Sequence, residues 1–286
     1  MFDGFETFDR DIAGVTIHGV MGGKGPPLLL LHGYPQTHVM WHKVAPALAQ
    51  HFTLVVADLR GYGDSSKPPS DDVHLPYSKR AMAQDMVGLM ARCGFDQFSV
   101  LAHDRGGRVA HRMAVDHPDV VRSMVILDIA PTREMYANTT AEFARLYWHW
   151  FWLIQPAPFP ETQINADPLF FLGKKLGSWG SGGPFAADAM VAYQAAIQNP
   201  DTVHAMCEDY RAAASIDIVH DDEGGRIRCP IHVLWGENGV IEKCFDCLSL
   251  WRERADVVTG KTLPGGHYLA EELPEMVVDE AMRFLK

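Results

Sequence analysis

Five short apolar runs, each closed by turn residues, constrain this chain more than any single residue does. They are Pro27–Leu31 (PLLLL), Leu54–Asp58 (LVVAD), Ser99–His103 (SVLAH), Met124–Ile129 (MVILDI) and Ile231–Gly236 (IHVLWG). Each has the length of a strand buried on both faces, where a continuous run of Val, Ile and Leu replaces the alternation of a half-exposed strand. Helical patterns lie between them, over Tyr77–Cys93 and Gly107–His117, and again at the end over Met276–Leu285. Strand alternating with helix predicts an α/β fold: a mostly parallel central sheet with helices on both faces. The opening segment, Phe5–Val20, reads as an antiparallel hairpin on the sheet edge.

The rhythm breaks after Ala130-Pro131. From Thr132 to about Asp217 there is no strand-like run, only aromatic and proline-containing helical segments such as YWHWFWLIQPAPFP and AMVAYQAAI. The simplest organisation is one sheet domain, residues 1–131 and 218–286, with an inserted helical cap, residues 132–217. A length of 286 residues suits one α/β domain carrying an insertion.

Composition excludes several function classes. A formal net charge of -11 argues against a nucleic-acid partner or an anionic membrane surface. The N-terminal MFDGFETFDRDIAG has neither the basic start nor the apolar core of an export signal, and no apolar run approaches the ~18 residues of a membrane span. The 5 cysteines, an odd number in a chain without such a signal, favour reduced thiols and a cytoplasmic location. Cys244-Phe-Asp-Cys247 lacks further ligands at zinc-site spacing, so no metal is implied. The stretch from Gly19 to Gly25 is no phosphate loop, because its glycine spacing is short and Lys24 is followed by Gly; a hairpin turn is expected there.

The third apolar run leads into Ala102-His103-Asp104-Arg105-Gly106, the pattern small-x-nucleophile-x-small between a strand and the helical segment GGRVAHRMAV. This is the context of a nucleophile elbow, a turn so tight that only small residues fit beside it. Serine is the usual nucleophile; here it is Asp104. The plainer reading is an aspartate capping a helix N-terminus. Three further pieces favour the elbow. His32-Gly33-Tyr34-Pro35 ends a strand where a loop N–H completes an oxyanion hole, with Tyr34 and Arg105 as the backbone donors. Gly265-Gly266-His267, late in the chain, stands where the general base follows. The acid that orients it is Asp128, one strand after the elbow, with Glu237 or Glu242 beyond the IHVLWG strand as alternatives.

With these pieces assembled, the chain resembles the α/β-hydrolases with an aspartate nucleophile, and within them the fluoroacetate (haloacetate) dehalogenases. HGYPQTHVMW, HDRGGR, the HW pair of YWHWFW, QPAPFPE, CEDYRA and GGH carry the resemblance from one end of the sequence to the other. It implies an α/β-hydrolase fold and a homodimer, no cofactor, and a small anionic halo-acid as substrate. A carboxylate is a poor nucleophile toward carbonyls but displaces a leaving group from saturated carbon. Asp104 would form an alkyl ester, and water activated by His267 would hydrolyse it, giving glycolate and halide from a haloacetate. Arg105 and Arg108, three apart on the first helical turn, share a face and lie at the positive helix end. The resemblance assigns both to the substrate carboxylate, and His149, Trp150 and Tyr210 to the halide. The segment Asp58–Ser65 reads as structural.

The nearest rival is an epoxide hydrolase with the same triad, which needs two cap tyrosines: Tyr210 with Tyr136, Tyr147 or Tyr193. A haloalkane dehalogenase would leave the two arginines without a purpose. A noncatalytic ligand receptor on the same fold is the third alternative.

Overall fold

The computed structural model describes residues 1–177 and 183–286. Its strands are β1 (Glu6–Ile12), β2 (Val15–Gly23), β3 (Pro27–Leu31), β4 (Thr53–Ala57), β5 (Phe98–His103), β6 (Val121–Leu127), β7 (Ile231–Gly236) and β8 (Val258–Leu263). They form one sheet in the order β1-β2-β4-β3-β5-β6-β7-β8. β1 and β2 are an antiparallel hairpin, turned by Ala13 and Gly14 at positive φ, and β2 joins β4 antiparallel. All other pairings are parallel. The apolar runs are the inner strands: residues 28–31, 54–57, 100–102 and 124–127 are fully buried, which a sheet covered on both faces requires.

Two expectations shift. The glycine-rich stretch from Gly19 is not a hairpin turn; residues 19–23 belong to β2. A Cβ at Gly19 would lie 2.3 Å from the Val56 carbonyl, so glycine there serves close strand packing. The first predicted helix starts at Lys79 rather than Tyr77, because the Ser78 hydroxyl caps it by accepting from the Ala81 N–H. The others run Arg105–Asp116 and Pro274–Leu285.

Between β6 and β7 the described residues form eight helices, from Thr132–Ala137 to Ile216–Asp222, and no strand. The last of these extends beyond residue 217, and the buried Asp217 accepts the Lys79 N–H on the sheet domain's own helix. Among the described residues no helix is long and apolar enough to cross a membrane. Cys93, Cys207, Cys229, Cys244 and Cys247 are unpaired.

The parallel strands share one direction, so their C-terminal ends open on one edge of the sheet. The loops after β3, β5, β6 and β8 carry Tyr34, Asp104, Asp128 and His267. Ligand crevices in such sheets form along that edge.

Candidate active site

Asp104 follows β5 directly and precedes the helix Arg105–Asp116. Its backbone sits at φ 44 and ψ −113, outside the regions a non-glycine residue usually takes. Its side chain makes no cap bond to the helix, so it is not an ordinary N-cap. Glycines on either side let the chain close on it. A Cβ at Gly106 would meet the His32 carbonyl at 2.5 Å, and one at Gly33 would meet the Asp104 Cβ at 2.5 Å. The Tyr34 N–H donates to Asp104 Oδ1 at 3.0 Å. Burial pushes the carboxyl up, but His267, His103, Arg108 and Arg105 outweigh it and hold the group below its ordinary value.

His267 lies beside Asp128, with Nδ1 to Oδ2 at 2.6 Å; Asp128 Oδ1 accepts the Gly236 N–H at 2.9 Å. Asp128, like Asp104, has a positive φ, 49. Burial works against an imidazolium at His267, yet the hydrogen bond and charge of Asp128, with Asp104 beyond, raise its pKa above the usual histidine value. Of the two alternative acids, Glu242 is taken by the Trp235 indole N–H at 2.5 Å and Glu237 is exposed. His103 steadies the loop: burial, then His267, pushes its pKa down to about 3, and its neutral ring bonds the His267 carbonyl through Nε2 at 2.9 Å.

The two arginines are both buried and differently held. Arg105 donates through Nε and Nη2 to the Asp209 carboxylate, at 2.8 and 2.6 Å. Asp209 also pairs with Lys79 and accepts the Tyr62 hydroxyl at 2.6 Å. Arg108 meets only neutral acceptors in its hydrogen bonds: the Ala130 carbonyl at 3.2 Å, Thr132 Oγ1 at 2.8 Å and Met135 Sδ at 3.3 Å. Arg105 Nη1 and Arg108 Nε are buried without a partner. The Arg105 guanidinium lies 4.2 Å from the Tyr210 ring centroid, and that of Arg108 lies 4.6 Å from Trp150.

A cavity of about 180 Å³ opens above Asp104, lined among others by Tyr34, Tyr147, His149, Lys175, Tyr210 and His267. It is small beside the roughly 300–1,000 Å³ of sites for drug-sized ligands. His149 and Tyr210 therefore face the same space as Asp104 and His267. Trp150 is fully buried behind them, with its indole N–H unpaired. Of the tyrosines weighed as a second proton donor, Tyr147 places its hydroxyl 3.4 Å from His267 Nδ1. Tyr193 is committed to Glu271, and the Tyr136 hydroxyl is buried without a hydrogen-bond partner.

Sequence reasoning missed two contacts and one position. Asp209 stood in the quoted CEDYRA motif but carried no sign of its pairing with Arg105, 104 residues away. Tyr147 reads from the sequence as packing or as one of three candidate tyrosines, and its position next to His267 is a tertiary fact. Lys175 sits in an unremarkable GKKL stretch, yet its Nζ lies 2.8 Å from His149 Nδ1.

For a metal, the described residues bring together His18, His38 and Asp58. Asp58 Oδ1 already accepts the His38 N–H at 2.7 Å and the His38 ring at 2.9 Å, and Oδ2 accepts the Asp64 N–H. The donor set is a satisfied hydrogen-bond network that secures the loop after β4.

Comparison with known proteins places this geometry. Residues 26–251 match the family model described as alpha/beta hydrolase fold. A fluoroacetate dehalogenase from Burkholderia sp is 45% identical over 290 residues, covering 100% of this chain and 94% of its own. A soluble epoxide hydrolase from Corynebacterium sp. (strain C12) is 31% identical over 279 residues, covering 96% and 94%. A solved structure from Nostoc sp PCC 7120, assigned to the alpha/beta hydrolases, superposes with a TM-score of 0.98 at 52% identity, covering 100% of this chain and 99% of the other.

Proposed function

We propose that this chain, which belongs to the alpha/beta hydrolase family, is a hydrolase of carbon–halogen bonds that converts a haloacetate, fluoroacetate or chloroacetate, to glycolate and halide. One observation carries the reading: Arg108 is a buried cation whose hydrogen bonds go only to neutral groups, and Arg105 beside it keeps one N–H free, next to an ionised nucleophile. The charge of Asp104 favours the Arg108 cation, but a buried guanidinium with no carboxylate among its hydrogen-bond partners still favours a ligand that supplies one. A small carboxylate does so, and its α-carbon then lies over Asp104. A neutral epoxide or haloalkane would leave both N–H groups unsatisfied.

In the first step Asp104 Oδ2 attacks the α-carbon. The new C–O bond forms as the carbon–halogen bond breaks, and the halide leaves with the electron pair. Oδ1 is already on the Tyr34 N–H, which marks it as the future ester carbonyl. Departing fluoride needs hydrogen-bond donors, and the His149 and Trp150 N–H groups and the Tyr210 hydroxyl are of the right kind. In the second step His267 takes a proton from water, which attacks the ester carbonyl carbon. Charge builds on Oδ1, where the amides of Tyr34 and Arg105 stabilise it. Collapse breaks the bond to the glycolate oxygen, which takes up the proton of the added hydroxyl; Asp104 is restored as carboxylate, and His267 releases its proton to solvent. Residues 132–217 act as the cap that closes the cavity. The unpaired thiols suit a cytoplasmic protein.

The 31% likeness to an epoxide hydrolase and the presence of Tyr147 and Tyr210 in one cavity wall define the competing reaction. Fluoride-electrode measurement on fluoroacetate, run beside chloride release from chloroacetate and diol formation from a simple epoxide, decides between them. Halide release lost in Asp104→Ala supports the reading; diol formation without halide release sinks it.

A further inference from the structure

Two lysines line the cavity without a part in the reaction above, the exposed Lys174 and the more deeply set Lys175; among the described residues, only Lys175 of the two hydrogen-bonds another residue of the cavity wall. It sits in the last turn of the helix Pro168–Leu176, half-buried, and its carbonyl accepts the Tyr268 hydroxyl at 3.2 Å. Its Nζ reaches the cavity between the rings of Tyr34 and Trp148, 5.7 and 5.6 Å from their centroids, and ends 2.8 Å from His149 Nδ1. We propose that Lys175 is a positioning residue for the leaving group: by donating to His149 Nδ1 it fixes the imidazole as the Nε2–H tautomer, so that this N–H serves the departing halide. The role rests on the dehalogenase reading and deepens it.

The argument is one of donors and acceptors. An ammonium has three N–H donors and no acceptor, so a ring nitrogen facing it must present a lone pair. A neutral imidazole with an unprotonated Nδ1 carries its proton on Nε2. Burial, then Lys175, His267 and Arg105, pushes the His149 pKa well below its ordinary value, so the ring is neutral. Burial also pulls Lys175 down to about 7, with Asp104 opposing; the cation is therefore present on the acid side of neutrality. Tyr34 lies nearly parallel to the ring, centroids 5.7 Å apart with planes 10° apart, and the Lys175 contact selects which ring nitrogen faces it. Nδ1 is thus occupied by protein and Nε2 is left for substrate. Without Lys175 both tautomers are open, and the Nδ1–H form turns a lone pair toward the leaving anion.

Fluoride depends on hydrogen bonds to leave, whereas bromide leaves readily without them. That difference separates positioning from a general structural role. The first measurement is the nitrogen NMR spectrum of histidine-labelled full-length protein at mildly acidic pH, with His149 assigned by its loss in His149→Phe. The expected wild-type signature is an unprotonated Nδ1 and a protonated Nε2, moving toward a mixture in Lys175→Met. A protonated Nδ1 in the wild type would overturn the proposal without recourse to any variant. The second measurement is kcat for Lys175→Met: roughly tenfold lower on fluoroacetate and nearly unchanged on bromoacetate. An equal loss on both acids, or none on either, also overturns it. Wild-type protein that releases no halide would defeat the dehalogenase reading and this role with it, whatever tautomer the spectrum shows.

Discussion

The floor and the roof of the cavity are built by different rules. The floor belongs to the sheet: Asp104, Asp128 and His267 leave the ends of parallel strands and are held by backbone groups, the Tyr34 N–H, the Gly236 N–H and the His267 carbonyl. The roof belongs to the helices between β6 and β7: His149, Trp150, Lys175 and Tyr210 are held by ring stacking and by side chains from distant segments. On the proposed reaction, backbone fixes the groups that would make and break covalent bonds, and packing fixes those that would only solvate charge. On that reading the floor would serve any displacement at saturated carbon, and the roof would decide which leaving group departs.

The sharpest break between the two comes from the floor. Asp104→Ala should lower halide release by at least ~10⁴-fold on every haloacetate, since no other group attacks carbon. His267→Gln should abolish turnover equally but leave the first step intact, so intact-protein mass spectrometry should show Asp104 carrying a carboxymethyl ester. Wild-type protein should approach the same state in acid. Ester hydrolysis needs neutral His267, and its pKa lies above the ordinary histidine value, so hydrolysis falls as pH drops through that raised value. Asp104 is held below its ordinary value and stays ionised over the same range, so alkylation continues. Ester should accumulate on acidification; a wild-type enzyme that loses both steps together would contradict this division of labour.

Asp209 joins floor to roof. It lies on the helix Pro200–Ala213 and pairs with Arg105 at the elbow and with Lys79, all essentially excluded from water. Asp209→Asn would leave buried Arg105 without its carboxylate and Lys79 with Asp217 alone, 3.4 Å away, and should cost about 3–5 kcal/mol of stability, read by urea denaturation. A loss near zero would mean that the two halves are held by apolar packing alone. On the roof itself, Trp150→Phe keeps the ring beside Arg108 and removes the unpaired indole N–H. It should lower kcat for fluoroacetate by about 10²-fold and for bromoacetate much less. An equal loss on both would place Trp150 in the core rather than at the leaving group.

The same contrast explains what the sequence reveals. The floor is legible because its chemistry is local: a strand, a tight turn and a helix must be contiguous, so Asp104 and its flanking glycine appear in one short stretch. Asp128 is legible only by position, since Glu237 and Glu242 offer the same chemistry after β7; the bond from Trp235 that occupies Glu242 is a tertiary fact. The roof is legible by resemblance alone. A tryptophan in YWHWFW packs or donates according to what lies behind it, and nothing near Lys175 in the chain announces a histidine 26 residues earlier. Element ends are tertiary facts too: Asp217, where the strand-free sequence pattern stops, lies near the start of the helix Ile216–Asp222 and accepts the Lys79 N–H.

The smallest effect should come where the roof first meets the floor. Thr132 opens the first inserted helix, is buried, and accepts from Arg108 Nη1 at 2.8 Å. Thr132→Val keeps the shape and removes the acceptor. Arg108 retains the Ala130 carbonyl and Met135 Sδ, so the guanidinium stays in place with one bond fewer. A hydrogen bond to a charged group contributes about 1.5–3 kcal/mol, and the free N–H can recover part of this from water or substrate. If Arg108 holds the substrate carboxylate in ground state and transition state alike, KM for fluoroacetate should rise by about tenfold with kcat nearly unchanged. A fall in kcat at constant KM would instead tie Arg108 to the displacement step, and would draw one residue of the floor into the work assigned to the roof.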